Sequence, residues 1–192
     1  MSEKKIINNS NNLIVCFGGM VLKIGGILPF EFLNYLSDTY KKNELDKYFF
    51  IDKEQCWYHK GIKGITSSID ETANYLKNII QKGNYKKVIF IGVSAGGYAA
   101  ILFGSLCNVS NVIAFIPRTK YQKKMTDEKY FNIKYVLYGD LNEKNKDSGH
   151  HISQCENLEE FSNVNVIRLK DLDMKTLRDN GTIKQIIDNI LS

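Results

Sequence analysis

The sequence is poor in the residue types and runs that mark several special classes of protein. It has 192 residues, of which only 2 are proline and 14 are glycine, too few for a collagen-like or low-complexity chain. No run approaches the roughly 18 consecutive apolar residues that a membrane span needs. The first 12 residues are mostly polar and lack the apolar core of a secretion signal. We therefore expect a polar N-terminal tail over 1–12 and a single domain over 13–192.

Cysteine is scarce and is not paired in the sequence. The 4 cysteines are Cys16, Cys56, Cys107 and Cys155, and no two of them form a C-x-x-C pair. Widely spaced cysteines without a secretion signal are most simply free thiols in a reducing compartment, which predicts a cytoplasmic protein. Because the Cys and His residues lack metal-ligand spacing, we expect no metal site and no cofactor.

Arginine is rarer than the positive net charge of +5 would suggest. Most of the 26 basic residues are lysines, and arginine occurs only at Arg118, Arg168 and Arg178. The lysines are scattered and are not interleaved with aromatic residues, whereas nucleic-acid surfaces concentrate arginine and aromatic side chains. We therefore predict no nucleic-acid partner and no membrane partner. The oligomeric state is left open.

The most informative segment runs from residue 88 to residue 104. Residues 88–91 form a continuous apolar run, typical of a strand buried on both faces. The run enters Gly92-Val93-Ser94-Ala95-Gly96, and small residues then begin a helix. Strand, G-x-S-x-G and helix is the arrangement that presents a serine nucleophile on a strained turn, with glycines leaving room beside it. The alternative is a tight strand-to-helix turn whose serine is merely solvated.

Strands and helices alternate along the rest of the chain. Apolar runs predict strands at 13–17, 48–51, 87–91, 111–116, 133–138 and 164–169. Apolar residues at helical spacing predict helices after Pro29, after the capping box Ser68-x-x-Glu71, after Ser94, at about 152–161 and at 175–191, while 118–131 is polar without a clear period. This order predicts a three-layer α/β sandwich: a mostly parallel sheet of about six strands with helices on both faces.

Several residues of interest follow strands directly. Gly18-Gly19, Asp52, Ser94 and Asp140 each come at the carboxyl end of a predicted strand. In parallel sheets, ligands bind in the crevice beyond those ends. We therefore expect these residues to meet at one edge of the sheet.

The motif and the strand order together resemble the α/β-hydrolase superfamily, in a small version without a lid. The resemblance implies that Ser94 is the nucleophile and that the strand at 13–17 corresponds to the family's third strand. It further implies an oxyanion hole made of two backbone N–H groups, one from Ala95 and one from Gly19 or Met20. No cofactor is implied.

The acid and the base are less regular. In the family the acid follows the strand after next from the serine strand, which implies Asp140; the alternative is an Asp that only forms a turn. The family's histidine follows the last strand, but residues 170–176 contain none. The candidates are therefore His151 or His150, which Asp147 could orient; the alternative is that both histidines begin a surface helix.

The third histidine belongs to an aromatic cluster. Trp57, Tyr58 and His59 follow the predicted strand that ends near Asp52. Their position at the active edge predicts a wall of the substrate pocket; the alternative is a loop anchor packed on the core.

Three functions agree with these observations. The first is a serine hydrolase, an esterase or thioesterase acting on a small acyl ester through an acyl group on Ser94. The second is an acyltransferase that uses the same residues. The third is a catalytically reduced, hydrolase-like binding or scaffolding protein, which the missing histidine at 170–176 would suit.

Overall fold

A seven-stranded sheet forms the centre of the molecule. The computed structural model describes residues 1–20, 30–41, 43–119, 133–170 and 172–192. The strands are β1 Glu3–Ile6, β2 Asn12–Phe17, β3 Asp46–Phe50, β4 Lys87–Val93, β5 Asn111–Phe115, β6 Lys134–Asp140 and β7 Val164–Leu169. Their spatial order is β1-β3-β2-β4-β5-β6-β7. All neighbours are parallel except β1, which runs antiparallel to β3. The predicted mostly parallel sheet is confirmed.

Helices cover the sheet and connect its strands. They are α1 Leu33–Thr39, α2 Ile69–Gly83, α3 Ala95–Cys107, α4 Ser153–Glu156, α5 Met174–Asp179 and α6 Thr182–Leu191. Within the described part of the chain, no helix combines the length and the apolar character needed to cross a bilayer.

The core lies on both faces of the sheet because β2 alternates between them. Leu13, Val15 and Phe17 pack in one apolar cluster, with α2 and α3. Ile14 and Cys16 pack in the other, with α1 and α6. Parallel strands buried on both faces read as continuous apolar runs, which is the pattern seen in the sequence.

Part of the predicted polar tail is instead the edge strand β1. Its Glu3, Lys4, Lys5 and Ile6 pair with β3, and the Tyr75 hydroxyl donates a hydrogen bond to the Glu3 carboxylate at 2.5 Å. A short strand rich in charge suits a sheet edge, because charged side chains discourage further strand pairing. Charge alone made this segment look like a tail.

Two predicted helices differ from the structure. The helix expected at about 152–161 is limited to α4, because the chain beyond it forms tighter turns such as Leu158 N–H to the Cys155 carbonyl at 3.1 Å. The helix expected at 175–191 is interrupted between α5 and α6, where Gly181 has a φ of 80°. Pro29 and most of 118–131 lie outside the described residues.

Candidate active site

Ser94 lies on the sharp turn between β4 and α3. Its backbone has φ 54° and ψ −117°, a conformation that costs energy for any residue with a side chain. Hydrogen bonds on both sides fix the turn: Ser94 N–H donates to the Phe115 carbonyl at 2.9 Å, and Tyr98 N–H donates to the Ser94 carbonyl at 3.0 Å. The neighbouring strand and the first turn of α3 therefore hold the serine in its strained position.

The two glycines of the motif allow this turn to pack. A Cβ atom at Gly92 would lie 2.2 Å from the carbonyl carbon and oxygen of Gly96. A Cβ atom at Gly96 would lie 2.0 Å from the Phe17 carbonyl oxygen of β2. Both distances are far shorter than any real contact, so only glycine fits at these positions.

His150 is the histidine that meets Ser94. The Ser94 Oγ atom and the His150 Nε2 atom are 2.8 Å apart, a hydrogen-bond distance. His150 comes from the loop that follows β6. Burial lowers its pKa below the usual value, the positive charge of Arg118 lowers it further, and the negative charge of Glu143 opposes both. The imidazole is therefore kept in the neutral form that can accept a proton.

His151, the other histidine proposed as a base, points to a different partner. Its Nδ1 atom is 2.9 Å from the Ser153 hydroxyl and accepts the Ser153 N–H at 3.1 Å. An isolated bridge joins its backbone to Asp140 at the end of β6. The structure thus uses His151 to close the loop, and it is His150 that reaches Ser94.

The two predicted acids form turns instead of pairing with His150. The Asp140 carboxylate accepts the Asn142 N–H at 2.9 Å. Asp147 is exposed and donates its own N–H to the Asn145 side chain at 3.0 Å. Across the residues that the structure describes, no hydrogen bond or ion pair joins either carboxylate to His150. The predicted role of Asp140 and Asp147 as the acid gains no contact from this arrangement and stays a prediction.

The carboxylate whose charge acts on His150 is Glu143, which the sequence analysis missed. Glu143 accepts the Asn145 N–H at 2.9 Å and a hydrogen bond from the Ser148 side chain. These bonds lower the Glu143 pKa, and His150 lowers it slightly more, so Glu143 is ionised. The Ser148 Oγ atom also accepts the His150 N–H at 3.2 Å. The loop 141–150 therefore brings a base to Ser94 and also carries an ionised carboxylate whose charge acts on that base.

The backbone beside Ser94 offers N–H groups for an oxyanion. Ala95 begins α3, and the first N–H groups of a helix have no acceptor within the helix. Of the two alternatives at the end of β2, the Gly19 N–H donates to the Glu31 carboxylate at 3.2 Å. Met20 donates no hydrogen bond to any residue in the described ranges, and its carbonyl accepts from the Gln55 side chain at 2.8 Å. Of Gly19 and Met20, it is thus the Met20 N–H that is free to bind an oxyanion.

The aromatic cluster is shaped by Asp52, which is buried just after β3. The Asp52 carboxylate accepts the N–H groups of Cys56 at 2.8 Å and of Tyr58 at 3.0 Å. Trp57, which lies between these two residues in the sequence, and Tyr58 have positive φ values of 62° and 59°. The buried carboxylate therefore holds a strained loop that directs Trp57 and His59 toward the active edge.

Tyr58 does not line a pocket, so that prediction is corrected. Its side chain has 0% exposure, and its hydroxyl contacts the Gly18 carbonyl at 3.0 Å and the Phe50 carbonyl at 3.1 Å. Because an aromatic side chain with a satisfied hydroxyl packs well in a core, Tyr58 anchors the loop.

Trp57 and His59 do border a cavity of about 340 Å³, together with Tyr98 and Arg118. The Trp57 and Tyr98 rings meet edge to face at 5.5 Å, and His59 Nε2 lies 2.5 Å from the Tyr98 hydroxyl. Arg118 and Tyr98 are site residues that the sequence analysis missed. The position of Arg118 just after β5, at the active edge, was the available signal.

No cluster of metal-binding side chains is present in the part of the chain that the structure describes.

A model of an uncharacterised protein family, UPF0227, matches residues 38–179, which include Ser94, Glu143 and His150. The chain belongs to UPF0227. None of the curated proteins matches the sequence.

Solved structures with similar folds come from several bacteria. The capsule O-acetyltransferase of Neisseria meningitidis serogroup A has a TM-score of 0.64 at 16% identity, over 97% of this chain and 89% of that one. A lipase-esterase related protein from Clostridium acetobutylicum has a TM-score of 0.61 at 15% identity, over 98% of both chains. An α/β serine hydrolase without a lid from Xanthomonas campestris has a TM-score of 0.55 at 10% identity, over 92% and 83%. This UPF0227 protein has the α/β-hydrolase fold, as its sequence predicts.

Proposed function

We propose that this UPF0227 protein is a serine-dependent carboxylic ester hydrolase whose reacting groups are Ser94 and His150. The observation that carries the proposal is the 2.8 Å contact between the Ser94 Oγ atom and His150 Nε2. A serine hydroxyl becomes a useful nucleophile only when a neighbouring base takes its proton. Burial and Arg118 lower the His150 pKa, so the imidazole is neutral and able to act as that base near pH 7.

The first half of the reaction transfers the acyl group to the enzyme. Ser94 Oγ attacks the ester carbonyl carbon while its proton passes to His150 Nε2. The carbonyl oxygen becomes an oxyanion, which the Ala95 and Met20 N–H groups stabilise. The imidazolium then donates its proton to the departing alkoxide, and an acyl-Ser94 ester remains. Removing one such donor in other enzymes costs about 2.7–4 kcal/mol of barrier.

The second half regenerates the serine. A water molecule gives a proton to His150 Nε2 and attacks the acyl carbon, and the resulting imidazolium returns the proton to Ser94 Oγ as the acid departs. Glu143, ionised in the same loop, favours the imidazolium at both stages because it raises the His150 pKa. Glu143 thus supports the Ser94–His150 pair through its negative charge.

Acyl transfer is the second candidate function. Replacing water by an alcohol in the second half turns the hydrolase into an acyltransferase without changing any residue. The fold similarity to an O-acetyltransferase, at a TM-score of 0.64, favours keeping this alternative. The close Ser94–His150 contact argues against the third alternative, a binding protein without catalysis.

The adjacent histidines provide a matched test of the proposal. We expect a fluorophosphonate probe to label the wild-type protein, and labelling to be lost in Ser94→Ala and strongly reduced in His150→Ala. The His151→Ala variant should keep more of its labelling than His150→Ala, since the His151 side chain contacts Ser153 and supports the loop without touching Ser94. A folded wild-type protein that is not labelled at pH 7–8 would overturn the proposal. Adding an alcohol acceptor to the hydrolysis of 4-nitrophenyl acetate then measures how the acyl group partitions between water and the acceptor.

A further inference from the structure

Of the residues that border the cavity, Trp57, His59, Tyr98 and Arg118, the last two contact the chain segments that carry Ser94 and His150. Tyr98 is one helical turn from Ser94, whose carbonyl accepts the Tyr98 N–H at 3.0 Å. The cavity has a volume of about 340 Å³, at the lower end of the range for small-molecule sites and enough for a small acyl or alcohol group.

Arg118 connects the cavity to the base. A Cβ atom at Gly149 would lie 2.3 Å from the Arg118 Nε atom, so the guanidinium lies directly against the backbone that precedes His150. On its other side the guanidinium carbon lies 5.4 Å from the centre of the Trp57 ring, a cation–π distance. Arg118 therefore lies between the aromatic wall and His150.

Within the described residues, the contacts of the Arg118 guanidinium are with the Trp57 ring and the Gly149 backbone, and none is a hydrogen bond or an ion pair. The Arg118 Nε atom is buried without a hydrogen-bond partner. The ion pairs found among the described residues involve Arg168 and the three lysines Lys63, Lys175 and Lys184, and none of them involves Arg118. A buried N–H group without a hydrogen-bond partner is rare in folded proteins. The rest of this partly exposed guanidinium can bind the oxygens of an anionic ligand.

We propose that this cavity is a substrate subsite in which Arg118 binds a carboxylate or phosphate group of the ester. The planar guanidinium fork matches the two oxygens of either anion, and the ring of Trp57 supports it from one side. The rings of Trp57 and Tyr98 then contact the apolar part of the same substrate group. That the bound anion belongs to a substrate rests on the proposed ester hydrolysis. The binding of an anion by Arg118 does not depend on catalysis.

The binding test uses the fluorescence of Trp57, which is the single tryptophan of the sequence. The Ser94→Ala protein is titrated with benzoate, phenyl phosphate and benzyl alcohol. We expect saturable changes in emission with one or both anions at concentrations at least tenfold lower than with the neutral alcohol, and loss of that difference in Ser94→Ala/Arg118→Gln. Tighter binding of benzoate would indicate a carboxylate ester, and tighter binding of phenyl phosphate a phosphorylated substrate. Equal binding of all three would overturn the inference, whatever the protein does to esters.

The kinetic test compares paired substrates with and without a charge. One pair carries the charge on the acyl group, 4-nitrophenyl hemisuccinate and 4-nitrophenyl butyrate, and the other carries it on the alcohol, 4-acetoxybenzoate and its methyl ester. The ratio of kcat/KM within a pair cancels changes in the Ser94–His150 chemistry that both substrates share. We expect at least one ratio to fall about tenfold to hundredfold in Arg118→Gln and to stay constant in Arg168→Gln. Ratios that do not change in Arg118→Gln, in a protein that the fluorophosphonate probe still labels, would reject the subsite and leave the proposed hydrolase intact.

Discussion

The Glu31 carboxylate accepts the Gly19 N–H at 3.2 Å, one residue before the Met20 N–H that we assign to the oxyanion. Burial raises the pKa of Glu31, while the hydrogen bond from Gly19 and the positive charge of Arg178 lower it. The carboxylate thus ties the end of β2 to the chain that leads into α1. This contact positions the backbone on one side of the candidate oxyanion hole.

Removing this contact is expected to slow the chemical step. In Glu31→Ala the Gly19 N–H loses its acceptor, so Met20 is no longer held in place; we expect kcat on 4-nitrophenyl acetate to fall about tenfold, equivalent to about 1.4 kcal/mol, with little change in KM. Glu31→Gln keeps an acceptor oxygen and should retain most of kcat. A higher kcat in Glu31→Ala would contradict this role, because it would mean that the carboxylate competes with the oxyanion.

The pH dependence of kcat/KM reports the protonation of His150. The neutral imidazole is the base, so activity rises with pH through the His150 pKa. Burial and Arg118 lower that pKa, so we expect the midpoint of the rise below about 6.5, the ordinary value for histidine.

Two charge removals should move this midpoint in opposite directions. Arg118→Gln removes a repelling positive charge, so the midpoint should shift to higher pH. Glu143→Gln removes a negative charge that favours the imidazolium, so the midpoint should shift to lower pH. Arg168→Gln serves as the control, because this guanidinium pairs with Glu156 and Glu159 instead. Shifts of the same sign in the two test variants would argue that His150 is not the titrating group.

The fold could be predicted because its signals are local. Buried parallel strands require continuous apolar runs, and the Ser68–Glu71 capping motif marks the start of α2: the Ser68 hydroxyl accepts the Glu71 N–H at 3.1 Å. The break between α5 and α6 was missed because apolar spacing continues across Gly181, and the edge strand β1 because its charged residues resemble a tail.

The site was harder to predict because its members meet through loop geometry. Ser94 is specified by glycines within two residues, which is a local requirement. The choice between His150 and His151 depends on which way the loop 141–150 turns as it returns to β6. That turn is set by contacts such as Ser148 with Glu143 and His150 N–H, which no sequence pattern marks.

A methyl group at Gly96 should destabilise the whole fold. The added Cβ atom would lie 2.0 Å from the Phe17 carbonyl oxygen, and neither backbone can move without disturbing the sheet. We expect Gly96→Ala to lower the free energy of unfolding by about 3 kcal/mol, measured by urea denaturation. Gly64→Ala is the control: Gly64 has a φ of 81° but nothing within 4 Å, so only backbone strain of about 1 kcal/mol applies. Equal losses in the two variants would show that the close approach of α3 to β2 is not limiting.

Asp52 should control both the stability of the aromatic loop and the position of Trp57. Its carboxylate, 1% exposed, accepts the N–H groups of Cys56 and Tyr58. Because Asp52→Ala leaves these groups without an acceptor, we expect a loss of about 3 kcal/mol in the free energy of unfolding and a red shift of Trp57 emission as the loop loosens. Asp52→Asn keeps one acceptor oxygen and should lose less.

The control is Asp38→Ala, at an exposed position of α1, which should change the free energy of unfolding by no more than about 0.5 kcal/mol. Unchanged Trp57 emission in a destabilised Asp52→Ala protein would mean that the packing of Tyr58, and not the buried carboxylate, holds this wall of the cavity.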